Sequence, residues 1–183
     1  RAYEESASKE CVKFEYIKAF DGKECQKQAG QKITNNELAC LRSHKLALNQ
    51  ARLYSLNIIL ITEDDILFCD NFTYKLRECL SELPDDWNAL SLGGTDHPNL
   101  RSKFYSTHLN ICQYTTGAFA IVFNKNCFDI LIEKLEGESK LVDIYYAEMM
   151  KELNWFRCRE KIVLHPEGFS EIKGKFVDYK QLR

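Results

Sequence analysis

Ile58-Ile59-Leu60-Ile61-Thr62-Glu63-Asp64-Asp65-Ile66-Leu67-Phe68 sets three consecutive carboxylates between two apolar runs. Acids are depleted from buried strands unless something offsets their desolvation. The first run is short, β-branched and apolar, the pattern of a buried strand. In open α/β sheets ligands bind outside the carboxyl ends of strands, and that is where Glu63, Asp64 and Asp65 fall. A divalent cation would stabilise such a group, because hard cations take carboxylate oxygens as ligands. The plainer reading is that the chain surfaces here and the acids face water.

Outward from this stretch, strands alternate with helices. Val12–Phe20 is β-rich and partly alternating, a strand ended by Asp21-Gly22. Thr34-Asn35-Asn36-Glu37 matches a capping box, with Thr34 as N-cap and Glu37 reaching back. Leu38, Leu41, His44, Leu48 and Ala51 recur at helical spacing and predict an amphipathic helix to about Leu56. Asp70 or Asn71 caps a second helix through Leu83, stopped by Pro84. Ala89–Leu92 reads as a short strand broken at Gly93-Gly94, and Tyr114–Phe123 as a strand interrupted by Gly117. Cys127–Leu135 and Val142–Leu153 read as helices, and Phe156–Leu164 as the last strand, before a loop with His165 and Pro166. The alternation predicts an α/β fold: one mainly parallel sheet with helices on both faces.

The 183 residues suffice for one domain with a substantial core. A net charge of −2 and the lack of any basic block argue against nucleic-acid binding. No apolar run approaches the ~18 residues a membrane span needs. None of the eight cysteines forms a C-x-x-C pair, so a zinc ribbon is disfavoured and buried free thiols are expected, although an even count also suits disulfides. Neither G-x-x-x-x-G-K-[ST] nor G-x-G-x-x-G occurs, which disfavours P-loop nucleotide hydrolysis.

In phosphoryl or glycosyl transfer a metal bridges phosphates and neutralises charge on the leaving group. Asp65 and Asp64 are natural ligands for such a metal, and Glu63 is a ligand or a contact to a ribose hydroxyl. His165, on a strand-end loop, is either an ordinary packed imidazole or a third ligand. His44 lies on the apolar face of its helix and reads as a core histidine. Asp143 opens a helix, where a carboxylate is favoured by the dipole in any case. Asp96, after Gly93-Gly94-Thr95, is a turn residue or a ligand contact. Trp87 and Trp155 read as core anchors.

Taken in order, these segments resemble glycosyltransferase family 25, which includes bacterial lipooligosaccharide galactosyltransferases and collagen hydroxylysine galactosyltransferases. Phe14 to Gly22 is similar to its "f-x-x-x-x-A-x-D-G" segment, and Ile33 to His44 to its "L-T-x-G-E-x-G-C-x-x-S-H". Leu60 to Asp65 resembles "I-L-E-D-D", and Leu83-Pro84 through Trp87 to Gly93 resembles "L-P-x-x-W-D-x-x-x-L-G". Thr116 to Ala120 resembles "G-T-x-A-Y", Val142-Asp143 its "V-D", and Ser170-Glu171-Ile172 its "S-D-I". Asn36 and Ala39 stand at glycines of that pattern, and Asn88 and Glu171 at aspartates. The family's opening strand is not found before Arg1, so the expectation is a single glycosyltransferase domain over residues 1–183 without that strand.

The resemblance implies a GT-A fold, Rossmann-like, binding a nucleotide sugar through an acidic motif with Mn²⁺ or Mg²⁺. It implies inverting transfer of a hexose, galactose or glucose, from a UDP-sugar donor. The acceptor would be a glycan such as lipooligosaccharide, or a glycosylated protein in the collagen-type alternative. A non-catalytic binding or assembly domain is the rival from another class. Carried onto this chain, Asp65, Glu63 and His165 become metal ligands, and Glu63, Asp64, Gly93 and Gly94 donor contacts. Asp143 becomes the catalytic base. The implied location is cytoplasmic or membrane-peripheral, with the endoplasmic reticulum lumen as the alternative.

Overall fold

Ile58–Thr62 forms a strand, β1, as expected, but at the edge of the sheet and only half-buried, with Ile58 exposed, rather than the buried strand its apolar run suggests; everything that positions the acids follows from how it is paired. The computed structural model describes residues 2–29, 31–166, 168–170 and 175–177. The helices are α1 (Ala2–Lys9), α2 (Asn35–Leu53), α3 (Phe72–Ser81), α4 (Phe128–Leu135) and α5 (Val142–Met149). After β1 come β2 (Leu67–Phe68), β3 (Ala89–Ser91), β4 (Thr95–Asp96), β5 (Lys103–Phe104) and β6 (Leu109–Ile111). They are followed by β7 (Thr115–Thr116), β8 (Ala120–Asn124), β9 (Trp155–Cys158), β10 (Val163–Leu164), β11 (Gly168–Ser170) and β12 (Lys175–Val177).

The main sheet has six strands in the order β1-β8-β3-β9-β6-β5. Only β3 and β9 pair in parallel; the β1–β8, β3–β8, β6–β9 and β5–β6 pairings are antiparallel. The α/β class therefore stands, but the mainly parallel sheet does not. The cause is β8, which folds back between β1 and β3 against both. Its position has a second effect. With β8 antiparallel to each, β1 and β3 run the same way, and β9 runs with them, so the carboxyl ends of three strands share one edge.

Both faces of the sheet are covered, as expected. Ala89, Ile121, Phe123 and Trp155 pack with α2, α4 and α5. Their neighbours Leu90, Val122 and Phe156 point the other way, into a cluster with Ala7 of α1 and Phe72 and Cys79 of α3. The two-residue alternation of strand side chains thus feeds two separate cores. Trp155 is fully buried, and its indole N–H donates to Ser91 Oγ at 2.9 Å.

The capping box at α2 forms in both directions. The Glu37 amide donates to Thr34 Oγ1 at 3.2 Å, and the Thr34 amide to Glu37 Oε2 at 2.7 Å. Other expectations need correction. Val12–Phe20 is not a strand: Val12 and Phe14 lean on the second core, but the segment finds no partner ladder, and Glu15–Phe20 is exposed. High β-propensity without a neighbour to pair is not enough. Ala2–Lys9 is instead a helix, seated by buried Ala7 and by a Tyr3 hydroxyl 3.1 Å from Thr62 Oγ1. Asn71 does cap α3 by position, but in a left-handed conformation and without a side-chain bond.

The segment expected as one last strand is two. After β9 the chain turns, and β10 pairs antiparallel with β2, Val163 opposite Phe68 and Leu164 opposite Leu67. Ser170 lies in β11, while Glu171 and Ile172 fall outside the described residues. All eight cysteines are free thiols, five of them buried. No helix among the described residues is long and apolar enough to cross a membrane.

Candidate metal and donor site

Glu63 is the first residue beyond β1. Its amide still donates to the Phe119 carbonyl at 2.9 Å, which extends the ladder by one bond and fixes where its side chain starts. Asp65 sits two residues on, just before Ile66 dives into the core. The β2–β10 pairing then brings in the third member. One residue past Leu164, His165 arrives opposite this turn, with Nε2 3.1 Å from Asp65 Oδ2. One ligand atom each from Glu63, Asp65 and His165 lies within 4.8 Å of the other two. Asp64 is exposed and its carboxylate is not part of that group.

Two carboxylates and an imidazole at this spacing fit a divalent cation. The His165 ring is already oriented for it. Nδ1–H donates to the Pro166 carbonyl at 3.1 Å, which leaves Nε2 directed at the carboxylates, and Phe119 meets the ring edge-on at 5.6 Å. A hydrogen bond from the far nitrogen is the usual way a ligating histidine is held.

The electrostatics are those of a negative cleft. Glu63 keeps 32% of its side-chain surface open, yet burial, with Asp65 beside it, pushes its carboxyl up to about 7. Burial alone would lower His165, but the hydrogen bond and charge of Asp65 outweigh it and hold the imidazole above its ordinary value.

Asp143 begins α5 beside the same cleft and contributes to the field on Glu63. Burial raises its carboxyl, against the pull of the Gly117, Ile144 and Asp143 backbone N–H groups. Its Oδ1 is buried and finds no hydrogen-bond partner among the described residues. An orphaned carboxylate oxygen costs stability, and Asp143 lines, with Ser91, Thr115, Gly117, Ala118, Ile121 and Tyr146, a crevice too tight for a water molecule.

Gly93 and Gly94 stand at the end of β3, both buried. A Cβ on Gly93 would fall 2.5 Å from the Phe119 ring and 2.7 Å from the Val163 carbonyl. Gly94 has a φ of +99° and would meet the Thr116 carbonyl at 2.7 Å. Packing accounts for both glycines without a ligand. Asp96 is likewise occupied, held by Arg157 at 2.9 Å, Thr115 Oγ1 at 2.7 Å and Ser102 Oγ at 2.8 Å.

Two residues that approach Glu63 from behind, outside the Glu63–Asp65–His165 group, are not legible in the sequence as its neighbours. His44 is a buried core histidine, as expected, with its pKa lowered to about 4 by burial, but its Nε2 is also 4.0 Å from Glu63 Oε1. Cys40, one turn earlier on α2, closes on the same carboxylate. The four-residue spacing of Cys40 and His44 is the one signal that points to them.

A family model described as glycosyltransferase family 25 (LPS biosynthesis protein) matches residues 3–127. The chain belongs to glycosyltransferase family 25. It is a glycosyltransferase, and the family implies a sugar donor and a glycan acceptor. Glu63 and Asp65 lie inside the matched residues, whereas Asp143 and His165 lie beyond them and reach the site through α5 and the β2–β10 ladder. No individually curated protein matches the chain.

Proposed function

We propose that this family 25 glycosyltransferase transfers a hexose, galactose or glucose, from a UDP-sugar to a bacterial surface glycan such as lipooligosaccharide, with inversion and with a bound Mn²⁺. The observation that carries the metal dependence is the convergence of Glu63, Asp65 and His165 within 4.8 Å. An imidazole in the set favours Mn²⁺ over Mg²⁺, which prefers oxygen alone. When bound, the cation supplies charge neutralisation for the departing diphosphate. A GT-A-type donor site is part of this reading, supported by the shared carboxyl edge of β1, β3 and β9. The UDP-hexose follows from the resemblance to the family, and the acceptor class from the family's description.

In this reading Glu63, Asp65 and His165, whose ring is oriented by the Pro166 carbonyl, hold the cation at the donor end. Asp143 is the base. Its partnerless Oδ1 takes the acceptor hydroxyl proton as the acceptor oxygen bonds to the anomeric carbon and the bond to the diphosphate breaks. Acceptor entry has to widen the crevice beside that oxygen.

Calorimetry with UDP, with and without Mn²⁺, tests the donor half. Wild type is expected to bind UDP in a Mn²⁺-dependent manner and Asp65→Ala to lose that dependence. Equal UDP–Mn²⁺ binding by both proteins, or by neither, overturns the metal site.

A further inference from the structure

Behind the Glu63–Asp65–His165 group lies a second cluster, which shares Glu63 with it and adds a cysteine and a histidine that the proposed transfer does not use. Cys40 and His44 are one turn apart on α2, and that spacing puts both side chains on the face turned toward β1. Glu63 meets them from the end of the strand. One ligand atom from each of Cys40, His44 and Glu63 lies within 4.8 Å of the other two. The back of the His44 ring is held as well: Nδ1 is 3.3 Å from the Tyr146 hydroxyl, and the two rings meet edge-on at 5.7 Å.

We propose that Cys40, His44 and Glu63 form a second cation site, inward of the first, that takes a thiophilic divalent metal of the zinc class. A thiolate, an imidazole and a carboxylate are the donor mixture that Zn²⁺ and Co²⁺ select and that Mg²⁺ does not. Tetrahedral zinc ligands stand roughly 3.3–3.7 Å apart, given metal–ligand bonds of about 2.0–2.3 Å. Side-chain shifts on the order of an ångström therefore close the group around an ion. Three protein donors leave the fourth position for water. Tyr146 plays the part that a hydrogen-bonding partner plays behind most ligating histidines.

The surroundings suit a cation more than they suit bare ligands. Cys40 is half-buried, and the carboxylates of Glu63, Asp143 and Asp65 all act on its sulfur. Those acids concentrate negative charge around the cluster, which attracts a positive ion. On binding, the Cys40 S–H bond and the Glu63 O–H bond break, both protons leave to solvent, and a sulfur pair and a carboxylate pair form the bonds to the metal. No electron changes hands. The site draws on the outer group only through Glu63, so it stands apart from the transfer reading at Cys40 and His44.

Co²⁺ titration of the full chain with reduced thiols reads the site directly, through the near-ultraviolet thiolate–cobalt band and the visible bands of tetrahedral Co²⁺. Wild type and Asp65→Asn are expected to develop the thiolate band, and Cys40→Ser to lose it. A wild type without the band, or a Cys40→Ser protein with the full band, overturns the proposal. His44→Gln keeps every thiol and is expected to bind Co²⁺ at least about tenfold more weakly. Unchanged affinity in that variant overturns the proposal whether or not Cys40→Ser folds. Mn²⁺-dependent UDP binding is measured on the same proteins to separate the two sites. Cys40→Ser is expected to retain it and Asp65→Asn to lose it, so failure at the inner site and failure at the outer site give different patterns.

Discussion

Glu63 is a carboxyl that must ionise to ligate, in a place that resists ionisation. Its value near 7 is above the ordinary carboxylate range, so the folded chain without metal holds that proton to higher pH than the unfolded chain does. Stability of the metal-free protein is accordingly expected to fall as pH rises toward about 7. Cation binding has the opposite dependence, because it must expel the proton. His165, also raised, adds a second proton of the same sign. Mn²⁺ affinity is expected to climb between about pH 6 and about pH 8, with proton release visible as a buffer-dependent heat; an affinity flat across that range would contradict the assignment. Asp143 is tested differently. Asp143→Asn is nearly isosteric and leaves the α5 backbone contacts available. It is expected to lower kcat by about 10²–10⁴ with the donor KM little changed. Transfer at near wild-type rate would remove Asp143 as the base.

Among the elements, α2 is the most legible. Thr34 and Glu37 announce its start, and both halves of the box form. Thr34→Ala is expected to cost about 1 kcal/mol, measured by denaturant titration, and to loosen the helix that carries Cys40 and His44. The acidic end of β1 is equally plain, because three acids directly after an apolar run need water or a cation around them, although the run itself is a half-buried edge strand and not the buried one its composition suggests. What no local stretch carries is pairing. Val12–Phe20 has strand composition but no neighbour, and nothing in Ala120–Asn124 itself says that β8 inserts antiparallel between β1 and β3. Strand direction is decided by contacts far apart in the chain, which no window of residues contains. The same limit hides Cys40 and His44 at the site: their spacing is visible, their proximity to Glu63 is not.

At the level of the whole molecule, two cores meet at one sheet, and Trp155 is where the larger of them is anchored. Phe123 meets its ring edge-on at 5.7 Å, Tyr146 lies 5.6 Å away, and Ser91 accepts its N–H. Trp155→Ala is expected to lower unfolding free energy by about 3–5 kcal/mol, seen as a reduced guanidinium midpoint, and a loss under about 1 kcal/mol would show that the core collapses around the gap. Tyr146 ties that core to His44, so damage there reaches the site through packing rather than charge.

The β2–β10 ladder sets a timetable for the chain as it is made. Glu63 and Asp65 leave the ribosome long before Asp143, and His165 comes later still. Domains fold as units during synthesis, and a nascent chain extended only to β9 carries both carboxylates without the imidazole that lies beside Asp65 in the fold. Until β10 pairs with β2, Glu63 and Asp65 stand without His165 beside them. In the proposed reading the cation therefore gains its third ligand only after β10 has emerged and closed onto β2.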